Sequence, residues 1–131
     1  MDYITLRKEV IDAGLLERQY GYYAWKLAST FGLLAVSIFF LAKVDNFAFQ
    51  LLNAVFLTFV FAQFGFIMHD AVHNGIFKGD LKNKLVGFIT GSLIINISSS
   101  SWAYKHNKHH ANPNHEDDYP DINMPILAFS E

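Results

Sequence analysis

FAFQLLNAVFLTFVFAQFGFIM, residues 47–68, runs for 22 residues without a formal charge and leads directly into His69-Asp70-Ala71-Val72-His73. As a helix at 1.5 Å per residue, that run is about 33 Å long, enough for a bilayer hydrocarbon core of about 30 Å. Upstream, Leu27–Ala42 is a second uncharged run, preceded by Tyr22, Tyr23 and Trp25 as an interfacial aromatic belt would be. Taken from Ala24, with Lys26 snorkelling, it also reaches spanning length. Only Lys43, Asp45 and Asn46 break the chain polarly between the two runs. The sequence therefore predicts an antiparallel transmembrane hairpin, with a first span over 24–42 and a second over 47–68.

The flanks extend this reading. Residues 1–23 interleave Arg7, Lys8, Glu9, Asp12, Glu17 and Arg18 with Ile4, Leu6, Val10, Ile11, Leu15 and Leu16, which predicts a short amphipathic segment interrupted at Gly14. A basic start running straight into an apolar core is missing, so no cleaved signal peptide is expected. A third apolar stretch, Leu85–Ile97, is broken by Gly87, Gly91 and Asn96 and runs into Ser98–Ser101. Lys78, Lys82 and Lys84 flank it on one side and Lys105 and Lys108 on the other, while the tight turn holds Lys43 alone. Excess lysine and arginine mark cytoplasmic segments. Both ends of the hairpin are then cytoplasmic, and residues 85–104 form an interfacial or re-entrant segment rather than a third crossing. Residues 69–84 and 105–131 are polar regions carrying histidines, and Asn112–Asp121 reads as a loop. The fold class expected is an all-α membrane protein.

Composition excludes other classes. Apolar residues make up 52% of the chain and thirteen are Phe, more than an ordinary soluble domain of this size carries. The net charge of −2 gives no basic field for nucleic acid. With no Cys there is no disulfide, thiolate-bound metal or thiol nucleophile, so any metal must be held by His, carboxylate or amide groups.

Five of the six His fall in two clusters. On a helix, positions four apart share a face, so His69 and His73 can point at one centre. In His106-Asn107-Lys108-His109-His110, spacings of three and four put His109 and His110 on the face of His106, so that three more ligands converge there. Either cluster alone has a plain structural reading, as interfacial polar residues or as a basic helix end against lipid headgroups. Two clusters with helical ligand spacing at one membrane boundary point instead to a shared metal centre. Five imidazoles exceed a single zinc site, which closes at four ligands, so at least two metals or further ligands are implied. Asp70, Asp117 and Asp118 are candidates to accept the outward N–H of a metal-bound imidazole. His115 lies outside both spacings and reads as a loop residue.

The pattern HxxxH after a second apolar helix, followed by HxxHH, resembles the first two histidine boxes of the membrane fatty acid desaturases. The wording His69-Asp70-x-x-His73 and His106-Asn107-Lys108-His109-His110-Ala111-Asn112-Pro113-Asn114, preceded by Trp102, is similar to the front-end, linoleoyl-CoA-desaturase-like branch. The resemblance implies that His69, His73, His106, His109 and His110 ligate a non-haem di-iron centre, with no catalytic residue expected beyond the ligands. It implies O2-dependent removal of two hydrogens from neighbouring methylenes of an acyl-lipid or acyl-CoA, leaving a cis double bond. Electrons would come from an external carrier of cytochrome b5 or ferredoxin type, and membrane lipids would surround the hairpin. The family's third box does not occur in these 131 residues, so the chain reads as an N-terminal portion that is inactive alone. Two alternatives stay open: a membrane di-iron hydroxylase or ketolase, and a non-catalytic membrane histidine-metal or haem-binding protein.

Overall fold

The computed structural model describes residues 2–113, which are helical with no strand among them. Helix α1 covers Tyr3–Asp12, α2 Tyr20–Lys43, α3 Phe47–Val72, α4 Asp80–Gly87 and α5 Ser99–Ala111. A π-helical segment, Phe88–Ile94, continues α4 directly.

Asp2 caps α1 by accepting from the Thr5 backbone N–H, and the helix ends at Ala13, where Gly14 takes φ +69. The interruption expected at Gly14 is there for a plain reason, since glycine enters left-handed backbone without a Cβ clash.

Helices α2 and α3 are each long and apolar enough to cross a membrane, at about 36 and about 39 Å. They pair along their length. Ser37 donates to Asn53 Oδ1 at 2.9 Å, Asn53 Nδ2 returns to the Ser37 carbonyl at 3.1 Å, and Lys26 Nζ donates to Gln63 Oε1 at 2.8 Å. Polar bonds suit this seam, because the surrounding lipid is as apolar as any side chain and burial by itself favours neither. Phe31 meets Phe64 edge-on at 5.1 Å within the same seam. Of the phenylalanines on α3, Phe64 is buried, while Phe59 and Phe66 are exposed.

α3 runs four residues past the uncharged stretch, so His69 sits in its last turn and His73 caps it. The chain then reverses through Asn74, at φ +53, and Gly75. Gly75 N–H bonds the Asp70 carbonyl at 2.8 Å and Asn74 N–H the Ala71 carbonyl at 2.9 Å, the paired closing bonds of a Schellman motif. Ile67, Ala71 and Ile76 form a buried cluster beneath this end, with Tyr23, Leu27, Phe77 and Val86 packed against it.

The third apolar stretch does not make one straight span. Asp80–Ile94 and Ser99–Ala111 meet at 111°, the form of a broken span or a re-entrant loop. Asn96, at φ +57, makes the corner, and Gly91 lets the π-helical segment lie against α3. A Cβ at Gly91 would collide with the Met68 side chain. Ser98 opens α5 by accepting from the Ser101 N–H. The bend returns α5 to the end of α3 that bears the first histidine pair.

Candidate metal centre

Both clusters reach the same point from different helices. The Schellman turn fixes the end of α3 under His69 and His73, and the corner at Asn96 aims α5 so that Trp102, His106 and His110 face them. His73 Nε2 and His106 Nε2 stand 3.0 Å apart, and His110 Nε2 lies 3.0 Å from the same His106 atom. The His69 ring centroid is 4.7 Å from that of His73 and 4.9 Å from that of His106. Ligand nitrogens of His69, His73, His106 and His110 all lie within 4.8 Å of one another, so the four could hold a metal ion.

The 3.0 Å spacings test whether a metal fits. A neutral imidazole Nε2 has one in-plane position, occupied by either a proton or a lone pair. It can therefore make one good hydrogen bond, whereas His106 Nε2 has two neighbours at 3.0 Å. Two nitrogens bound at right angles to one ion, at about 2.1 Å each, would stand about 3.0 Å apart. The donor set fits a metal better than it fits hydrogen bonding among the rings alone.

Electrostatics favour the ligating form. Partial burial, followed by the neighbouring histidines His110, His69, His73 and His109, pushes His106 down to about 4. His73 is lowered for the same reasons, burial first and then His69 and His110, against a smaller opposing pull from Asp70. Both rings are then neutral near pH 7, with lone pairs available.

Other groups contact the rings. Asp70 Oδ1 lies 3.3 Å from His69 Nδ1, and the Tyr23 hydroxyl donates to Asp70 Oδ2 at 3.1 Å. Trp102 stacks on His106 at 4.1 Å with 20° between the planes and meets His69 edge-on at 5.7 Å. Beside the histidines, a cleft of about 880 Å³ opens between α4, the π-helical segment and α5, lined by Asn74, Lys84, Ser92, Asn96 and Asn107 among others.

Of the residues predicted from sequence, His69, His73, His106 and His110 are brought together, and Asp70 contacts His69. His109 lies outside the four-nitrogen group, with its ring stacked 5.7 Å from His106 and edge-on to His110 at 5.3 Å. At about 100° per residue, His109 lies about 60° to one side of His106 and His110 about 40° to the other. α3 lies on the His110 side. Asp117, Asp118 and His115 fall outside the described residues. Sequence reasoning missed Tyr23, which looks like one more belt aromatic, and missed the stacking of Trp102 on a histidine one helical turn away.

The profile of the fatty acid desaturase family matches residues 46–130, a span that contains every one of these histidines. The chain belongs to the fatty acid desaturase family. This desaturase chain is 33% identical over 131 residues to a Delta(8)-fatty-acid desaturase of Euglena gracilis, covering 99% of this chain and 30% of that protein. It is 29% identical over 136 residues to an acyl-lipid (9-3)-desaturase of Physcomitrium patens, covering 99% and 26%. With a Delta 8-(E)-sphingolipid desaturase of Kluyveromyces lactis it shares 32% identity over 130 residues, covering 98% and 22%. Front-end desaturases, the branch that the motif wording resembles, are among its relatives. The chain spans less than a third of the length of these three relatives. No solved structure matches the chain.

Proposed function

We propose that this chain supplies the first two histidine clusters of the di-iron centre of a membrane desaturase that places a cis double bond in an acyl chain using O2. The observation that carries this reading is the convergence of His73, His106 and His110 Nε2, with His106 at 3.0 Å from both of the others. His69, His73, His106 and His110 would hold iron, and His109, one ring away, is the fifth nitrogen of the set. A third cluster, which these 131 residues do not contain, would complete the ligands of the pair. Iron bound there would supply the dioxygen chemistry that removes hydrogen from unactivated methylenes.

The chain's own residues provide placement. Neutral rings at His73 and His106 present lone pairs rather than protons, and Asp70 orients His69. Asp117 and Asp118, in the loop after the second cluster, are further candidates for orienting ligands. α2 and α3 set the site at one membrane boundary, where an acyl chain rising from the bilayer meets the histidines. The distribution of lysine and arginine supports a cytoplasmic position for that boundary. The adjoining cleft, with Lys84, Asn74, Asn96 and Asn107 on its walls, would receive the polar head of an acyl-lipid or acyl-CoA substrate. Electrons would arrive from a cytochrome b5 or ferredoxin type donor.

The test is expression of the intact protein in a host of known fatty acid composition, with iron measured per chain and double bonds located by mass spectrometry. A new unsaturated acyl chain that disappears in His106→Ala is the expected result. An oxygenated product would reassign the chemistry to a hydroxylase, and a Soret band in the purified protein would reassign the histidines to haem.

A further inference from the structure

Tyr23 lies on the first membrane helix, yet its hydroxyl reaches the second helix at the residue that follows the first candidate ligand. It donates to Asp70 Oδ2 at 3.1 Å, and the other oxygen of the same carboxylate faces His69 Nδ1 at 3.3 Å. An ionised carboxylate only accepts, so the facing Nδ1 must carry the proton, and the lone pair of His69 then sits on Nε2. Both carboxylate oxygens are thereby engaged, one by the tyrosine and one by the imidazole.

The tyrosine, partly buried, is itself held by its neighbours. Its ring packs against the buried cluster of Ile67, Ala71 and Ile76 and meets Tyr22 edge-on at 5.1 Å. Arg18 Nη1 donates to the Gly75 carbonyl at 3.1 Å, and Tyr20 stacks on Phe77 at 5.9 Å. Three contacts within six residues thus register the start of α2 on the turn that follows His73. That register aims the Tyr23 hydroxyl at Asp70.

We propose that Tyr23 is a positioning residue for the metal centre, fixing the Asp70 carboxylate so that His69 is held in the Nδ1–H tautomer with Nε2 turned inward. The inference rests on the reading of the histidines as metal ligands and adds a member from a helix that carries none of them. Groups that hydrogen-bond a ligating histidine typically change metal affinity by about 10- to 100-fold when removed. Tyr23 acts one bond further out, so its loss is expected to change affinity by roughly three- to tenfold, the equivalent of one net hydrogen bond.

The experiment is anaerobic Fe(II) titration of the purified intact protein against a chromophoric chelator, with the Co(II)-substituted visible spectrum as a second readout. Tyr23→Phe keeps the ring and removes only the hydroxyl. It is expected to weaken Fe(II) binding roughly three- to tenfold and to shift the Co(II) bands. In an Asp70→Ala background the same substitution should have no further effect, because the carboxylate through which it acts is gone. Wild-type Fe(II) affinity in Tyr23→Phe overturns the proposal, as does an equal loss with and without Asp70. A purely structural tyrosine would lower the melting temperature of the metal-free protein and leave the Fe(II) curve in place, and that result also overturns it. Failure of the wild-type protein itself to bind Fe(II) would instead remove the metal reading on which the proposal stands.

Discussion

Asn83 is the side chain that closes the link between the first histidine pair and the segment leading to the second. It is 1% exposed, and its amide makes three hydrogen bonds to the loop before α4. Oδ1 accepts from the Phe77 N–H at 3.0 Å, while Nδ2 donates to the Phe77 carbonyl at 2.8 Å and to the Gly79 carbonyl at 2.9 Å. Asn83→Ala removes three hydrogen bonds and leaves three backbone groups without that partner. At about 1 kcal/mol net per bond, the loss should be about 3 kcal/mol. Asn83→Asp gives a sharper test, because it keeps the acceptor for Phe77 N–H but turns a carboxylate oxygen towards two carbonyls. It should destabilise at least as much as alanine, despite its nearly identical shape. Denaturant unfolding of the intact protein in detergent, followed by tryptophan fluorescence, measures both. A loss below about 0.5 kcal/mol for alanine, the range of an ordinary surface change, would refute the latch. So would an aspartate variant as stable as wild type.

Gly91→Ala should destabilise by about 1–3 kcal/mol through overpacking, since its Cβ would lie 2.9 Å from Met68 Cγ and 3.2 Å from the Ile97 carbonyl; trimming the neighbour in Met68→Ala should reduce the penalty, and an unchanged penalty in a double-mutant cycle would contradict the contact. Gly75→Ala would bring a Cβ to 2.9 Å from the Asp70 carbonyl, so it should loosen the end of α3, seen as faster amide hydrogen exchange at Asn74 and Gly75 than in wild type. His106→Ala should weaken Fe(II) binding more than His109→Ala when each is titrated with metal alone, because His106 stands in the four-nitrogen group and His109 beside it; the reverse order would place the first ion elsewhere.

The membrane hairpin was legible because it depends on local composition. Twenty-two uncharged residues followed by a histidine can hardly do anything but cross or be buried, and the helix bounds at Phe47 and Val72 differ from the reading only where α3 continues through polar residues. The break at Gly14 was legible for the same local reason. The third apolar stretch, Leu85–Ile97, was read from its glycines and flanking lysines as an interfacial or re-entrant segment; its π-helical register and 111° bend were not legible. Those depend on Gly91 seating against Met68 and on Asn96 turning the corner. Both are consequences of where α3 lies, and no periodicity encodes that.

The candidate centre divides in the same way. A spacing of four on one helix is sequence information, and the pairs His69/His73 and His106/His110 both follow it. A spacing of three reads on sequence like a spacing of four, but His109 and His110 flank His106 on opposite sides and only the position of α3 separates them. Groups that orient the ligands were partly readable. Asp70 was found because it adjoins a histidine in sequence, whereas Tyr23 stands 47 residues away and shares its composition with an interfacial belt. The structure also explains why so small a chain can hold four rings so closely. The first cluster sits at a secured helix end, where α3 is closed by Asn74 and Gly75 directly after His73, while the second lies in the last two turns of α5, a helix whose opposite end is capped by Ser98. The positions of His106 and His110 relative to α3 are therefore set by the short Asn96 corner and the Gly91 contact rather than by the long membrane helices. Changes at those two positions should move metal affinity further than apolar substitutions of similar size on the lipid-facing sides of α2 and α3.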